Sequence, residues 1–164
     1  MKKRILISLG VSIIILFSSP VFGGSEDIGN TFYGMGAGAN VTNPNLGVTF
    51  IGTNAGYNHT TGIANTFLGY YAGYSNTTGY GNIFLGYISG YYNTTGERNT
   101  FLGNFTGRSN TTGGYNTFLG HYAGYENTTG AVNTFVGNYT GRGNTTGMHN
   151  TFVGYGSGYS NTIG

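Results

Sequence analysis

Apolar, polar and glycine positions recur along this chain with one fixed period. Phe50, Phe67, Phe84, Phe101, Phe118, Phe135 and Phe152 lie seventeen residues apart, and an aliphatic residue and then a glycine follow each of them. A strict period of this size marks a solenoid, whose single coil cannot bury its apolar face without neighbours. We number each coil from position 1 at Asn65 to position 17 at Gly81, so that phenylalanine occupies position 3. Glycine recurs at positions 5, 9 and 15, which calls for a positive φ or a close backbone approach at those points. A looser copy, Asn30-Thr31-Phe32-Tyr33-Gly34, begins eighteen residues before the first regular strand and reads as a degenerate terminal rung.

The triplet Thr-Phe-Leu combines β-branched, aromatic and aliphatic residues and favours a strand. Apolar residues nowhere recur at helical spacing, and glycine interrupts every window. The expected fold is therefore all-β: a parallel β-roll or β-solenoid of seven 17-residue coils plus the degenerate N-terminal coil. Each coil has room for about two short strands and two turns, in a flattened roll whose rungs stack about 4.8 Å apart.

Neighbouring residues on a strand point to opposite sides. Positions 3 and 4 are both apolar in every coil, position 4 carrying Ile51, Leu68, Leu85, Leu102, Leu119, Val136 and Val153. One column fills the coil, and the other is left as an apolar stripe larger than a monomer ordinarily exposes. This predicts a closed homo-oligomer, the phenylalanine column and its aliphatic neighbour forming a shared core. The alternative is that another segment of the same chain covers the second column. Asparagine columns at positions 1 and 12 read as structural amide ladders, and the N-x-T triplets within them as by-products of the ladder.

Positions 6, 8 and 10 vary together. Most coils carry tyrosine at position 10, whereas two read Asn104-Thr106-Arg108 and Asn138-Thr140-Arg142. Spacing by two predicts one wet strand face, presenting Tyr70, Tyr74, Tyr87, Tyr91, Tyr125 and Tyr159 with Arg108 and Arg142. Tyrosine and arginine are enriched in binding hot spots, so these eight are the candidate partner-binding residues. The competing reading is that the tyrosines only cover glycine-rich backbone and pack rung on rung.

Residues 1–23 read as a secretory signal, with Lys2, Lys3 and Arg4 ahead of an apolar run from Ile5 to Phe17. The run is short for a membrane span, so a retained anchor is the lesser reading. Residues 24–47 then form an N-terminal cap with the degenerate repeat, and residues 48–164 the regular array. Beyond the signal, Arg98, Arg108 and Arg142 stand against Glu26, Asp27, Glu97 and Glu126, a net charge of −1. No basic cluster suits nucleic acid. Cysteine is absent, which excludes disulfides and a lipid-anchored cysteine and leaves a packed core or oligomerisation to stabilise the fold.

His59, His121 and His149 fall at different repeat positions and form no ligand set. A calcium-binding roll needs an aspartate in each coil, and Asp27 stands alone outside the array. Gly34-Met35-Gly36-Ala37-Gly38 lacks the strand-loop-helix setting of a nucleotide loop. No nucleophile recurs beside a histidine. No metal or cofactor is expected, nor enzymatic activity.

The unit N-T-F-L-G, followed by a small residue and glycine and then by N-T-T-G, resembles the head repeats of trimeric autotransporter adhesins, the YadA-like head. The strands Asn65–Gly69, Asn99–Gly103 and Asn116–Gly120 match that pattern in kind, and the resemblance spans Val48 to Gly164. The unit is longer and its strand more aromatic than in that family, and no coiled-coil heptads or barrel-forming segment follow it. The resemblance implies a trimeric roll secreted to or displayed at a bacterial surface, where it binds a host or matrix protein or a glycan. Two other readings are a structural fibre or functional amyloid built by end-to-end coil stacking, and an ice-binding solenoid using the Thr77-Thr78 columns.

Overall fold

The computed structural model describes residues 29–164, which form a parallel β-solenoid without helices. The signal expected over residues 1–23 lies outside the described residues. Eight three-residue strands pair in chain order into one parallel sheet: β1 (Thr31–Tyr33), β2 (Thr49–Ile51), β3 (Thr66–Leu68), β4 (Ile83–Leu85), β5 (Thr100–Leu102), β6 (Thr117–Leu119), β7 (Thr134–Val136) and β8 (Thr151–Val153). The pairing keeps phenylalanine opposite phenylalanine from Phe32 to Phe152. The degenerate copy is thus the first rung of the sheet.

Position 3 points inward, and Phe50, Phe67, Phe84, Phe101, Phe118 and Phe135 are completely buried. From Phe50 to Phe152 successive rings lie 4.6 to 5.1 Å apart with interplanar angles of 4 to 15°. That separation is the strand spacing itself, imposed by the backbone ladder. Because it exceeds the contact distance of two carbon faces, parallel rings so spaced are slipped sideways, which is the favourable offset arrangement.

One strand per coil replaces the two expected. The remaining residues form turns, because each coil turns left-handed at several points. The position-9 glycines from Gly56 to Gly141 have φ of 56 to 60°, and each lies over its own coil's phenylalanine ring, where a methyl group would overlap the ring. Position 7 is left-handed as well, although it carries Asn54, Tyr71, Ile88, Phe105, Tyr122 and Tyr139 (φ 56 to 58°). Bulky and β-branched residues resist that conformation, at about 1–3 kcal/mol each. Inter-coil hydrogen bonds hold it: Tyr71 N–H donates to Thr53 O at 3.0 Å, and Gly73 N–H donates to Ser89 O at 2.9 Å.

The left-handed turns overturn one expectation directly. Position 8 does not share a wet face with positions 6 and 10. Ala55, Ala72, Ser89, Thr106, Ala123 and Thr140 are fully buried. The alternation that puts i and i+2 on one side holds for a strand and fails across residues of mixed handedness.

The other half of the interior is polar. At position 12, Nδ2 of Asn93, Asn110, Asn127 and Asn144 donates to Oδ1 of the asparagine one coil earlier at 2.7 to 2.8 Å. The same Nδ2 atoms donate to the position-15 glycine carbonyl of their own coil, as Asn110 does to Gly113 at 2.9 Å. At position 1, Asn99 Nδ2 also donates to Gly113 O, while its Oδ1 accepts the backbone N–H of Asn116. These amides are buried, which explains why the N-x-T triplets around Asn76, Asn93, Asn110, Asn127 and Asn144 belong to the ladder.

His59 takes the asparagine place in this column and reproduces both of its roles. Its Nε2 lies 2.6 Å from Gly62 O, which can only accept, so Nε2 carries the hydrogen. Its Nδ1 is then a lone pair and accepts from Asn76 Nδ2 at 3.0 Å. The ring is fully buried, edge-on to Phe50. Burial holds its pKa below the ordinary histidine value of 6.5. The unfolded chain therefore binds a proton that the folded chain refuses, and stability falls as the pH drops from about 6.5 through the folded pKa. The slope has a ceiling of about 1.4 kcal/mol per pH unit. Urea midpoints measured between pH 7 and 5 should show this fall, and His59→Asn, which restores the repeat residue, should flatten it.

Candidate binding face

Three side-chain columns leave the turn that follows each strand. Column 10 carries Tyr57, Tyr74, Tyr91, Arg108, Tyr125, Arg142 and Tyr159, one rung after another. Tyr57, Tyr74 and Tyr91 stack at 5.4 and 5.1 Å. The arginines continue the stack as flat cations. Arg142 lies 5.4 Å from the ring centroids of both Tyr125 and Tyr159, and Arg108 lies 5.4 Å from that of Tyr125. Guanidinium planes can replace rings in such a column because the ring face attracts cations.

Column 6 holds Tyr70 and Tyr87, stacked at 5.5 Å. It then passes to Asn104, His121 and Asn138, where the asparagines act on backbone: their Oδ1 atoms accept the N–H of Tyr87 and His121 at 3.0 Å. At position 8, buried Thr106 and Thr140 donate to Gly120 O and Gly154 O, one coil on. The joint Asn-Thr-Arg change in two coils is thus two inter-coil hydrogen bonds and a stacked cation.

The structure separates the predicted residues into two groups. Tyr70 and Tyr87 stand in column 6, and Tyr74, Tyr91, Arg108, Tyr125, Arg142 and Tyr159 in column 10. Between them lies column 7, which the alternation argument assigned to the other side. Tyr71 touches both neighbours, 4.4 Å from Tyr70 and 5.1 Å from Tyr74 between ring centroids. The neighbouring Tyr71 hydroxyl holds the exposed Tyr70 phenol above its ordinary pKa. Burial raises that of Tyr91. Both phenols stay neutral and able to donate at physiological pH.

Column 7 is aromatic except at Ile88 among the rungs from Tyr71 to Tyr139. At that rung a cleft of about 340 Å³ opens between the columns, lined by Tyr70, Tyr71, Tyr87, Ile88, Tyr91 and Tyr92, with Arg108 on the following coil. Sequence reasoning missed Tyr71, Ile88 and Tyr92. The available signal was a departure from the repeat: aliphatic where the coils on either side are aromatic at position 7, and aromatic at position 11.

The two arginines differ in their surroundings. Glu126, at position 11 of the preceding coil, pairs with Arg142 at 3.0 Å. The equivalent neighbour of Arg108 is Tyr92, whose ring centroid lies 4.9 Å from the guanidinium carbon, and among the described residues no carboxylate pairs with Arg108. The threonine columns are also unequal. Position-13 hydroxyls such as those of Thr77, Thr94 and Thr111 donate to the next coil's backbone at 3.1 to 3.2 Å, whereas the position-14 threonines beside them are exposed.

With these columns in place, comparison with family models, with characterised proteins and with solved structures finds no match to this chain.

Proposed function

We propose that this chain is a non-enzymatic, adhesin-like head, secreted or displayed at a cell surface, and that it works as a homotrimer. It holds an extracellular partner, a host or matrix protein or a glycan, through the Tyr/Arg columns. The observation that carries this reading is the outer side of the sheet. Position 4 stands back to back with the phenylalanine column, and its aliphatic side chains follow one another from Ile51 to Val153 at every rung. Leu68 is 44% exposed and Leu102 36%, although both belong to the repeat's most regular strands. Single exposed leucines are ordinary, but an aliphatic stripe that is exposed or half-buried at every rung favours a covering partner. Identical chains supply an identical stripe, and closed symmetry lets all of them be buried at once.

Light scattering on the eluting protein is the test. A discrete trimer at every concentration is expected, and Leu102→Lys should yield a folded monomer, because the lysine would stand on the outer side of the sheet. A monomer with the stripe intact, or open-ended growth into fibrils, would overturn the proposal. Fibrils would favour the end-to-end stacking alternative instead.

A further inference from the structure

We infer that the cleft beside Arg108 binds a carboxylate-bearing sugar ring, the acidic unit of an extracellular glycan. The inference rests on the adhesive reading above and names the ligand chemistry of one place on that face. Its first support is an internal comparison. Arg108 and Arg142 occupy the same repeat position with the same Asn and Thr companions, yet among the described residues only Arg142 of the two has a carboxylate within reach, Glu126 at 3.0 Å. The fold accommodates the pair at one rung and omits it at the other. The cation left without a carboxylate is the one beside the cleft.

The second support is shape. Ile88 stands where the coils on either side carry Tyr71 and Phe105, and beside it the surface holds a cleft of about 340 Å³. That lies at the small end of ligand sites and suits one ring with its substituents.

The third support is the lining. Five tyrosines, Tyr70, Tyr71, Tyr87, Tyr91 and Tyr92, line the same small volume, and each carries both ring carbon and a phenolic hydroxyl. A sugar offers the matching pair, C–H surface and hydroxyls, and can satisfy phenols that an aliphatic acid would desolvate without partners. A neutral sugar would cover the guanidinium without pairing it, whereas a carboxylate forms a charge-assisted bond with it.

Calorimetric titration of the full chain with glucuronic acid, glucose and N-acetylglutamate tests the assignment. Glucuronate is expected to bind at least about tenfold more tightly than either other probe, as one charge-assisted hydrogen bond implies. Its binding should weaken with added salt. Arg108→Gln should lose this advantage, and Arg142→Gln should keep it. Ile88→Phe, whose side chain is already accepted at Phe105 in the same left-handed setting, should narrow the cleft and weaken glucuronate binding in a folded protein. Equal binding of glucuronate and glucose overturns the inference, as does equal weakening by the two arginine variants. N-acetylglutamate binding as tightly as glucuronate points to an acidic peptide and also overturns it. The light-scattering test reads the position-4 stripe rather than this cleft, so a trimer that fails to bind glucuronate refutes the cleft assignment alone.

Discussion

Phe101→Asp will abolish the folded array at room temperature. The wild-type ring is fully buried and lies 4.9 Å from both Phe84 and Phe118, with the backbone ladder holding all three in register. Removing a buried phenylalanine side chain costs about 3–5 kcal/mol for lost transfer and cavity. The carboxylate adds the cost of a charge in an aromatic column without a cation, several kcal/mol more unless the group takes up a proton. A domain of ordinary stability has about 5–15 kcal/mol in all. The rung also sits in the middle of the stack, where each coil is stabilised by the two beside it. Phe152→Asp, at a partly exposed rung, should cost much less. Circular dichroism and urea unfolding of the two variants check the ordering. A Phe101→Asp protein with a wild-type unfolding midpoint would refute the assignment of this column to the interior.

The column was legible because side-chain spacing along a stack is conserved by geometry: residues seventeen apart must superpose if each coil has seventeen residues. That argument needs no knowledge of the coil's path, and it set positions 3 and 4 on opposite sides without deciding which faces inward; the structure puts Phe101 inside and Leu102 outside. The path itself was less legible. Positions 6, 8 and 10 look like strand alternation, yet Thr106 is buried while Arg108 reaches the surface. The turn between them follows left-handed residues, and at position 7 those are Tyr71, Ile88 and Phe105, whose local preferences argue against that conformation. Only the hydrogen bonds of the neighbouring coils select it, so one coil's sequence carries no sign of it. The cleft was hidden for the same reason, since Ile88 and Tyr92 acquire meaning only once column 7 is known to stand between columns 6 and 10.

The glycine at position 15 shows a further limit. Gly113 has an ordinary backbone angle, so conformational freedom does not explain it. A methyl group there would overlap the carbonyl oxygen of Gly130 on the next coil and Oδ1 of Asn110 in its own. The residue is small because two polar systems converge on it: its carbonyl accepts from Asn99 and Asn110 while the following coil packs against its Cα.

That convergence sets the largest polar effect expected in the molecule, from Asn110→Asp. Wild-type Asn110 Nδ2 donates to Asn93 Oδ1 at 2.7 Å and to Gly113 O at 2.9 Å, and Oδ1 accepts from Asn127 Nδ2 at 2.8 Å. Aspartate has nearly the same shape, so packing is retained and only the donor changes. An ionised carboxylate would keep the bond from Asn127 but turn an oxygen toward two acceptors in a fully buried site. An uncompensated buried charge costs about 3–5 kcal/mol. Protonation relieves it, because the neutral carboxyl has one O–H to donate toward Asn93 or Gly113 and keeps an oxygen to accept from Asn127. The folded-state pKa of the new group is thus raised above its unfolded value of about 3.9. The unfolded carboxyl releases its proton first, so the variant loses stability as the pH rises from about 4 through the raised folded pKa. Wild type responds in the opposite sense over the acidic range where His59 charges, losing stability as the pH falls. Urea midpoints of the two proteins from pH 4 to 8 should therefore converge toward acid and diverge toward neutrality. A variant as stable as wild type at pH 7 would mean that the amide column at position 12 contributes far less than its geometry implies.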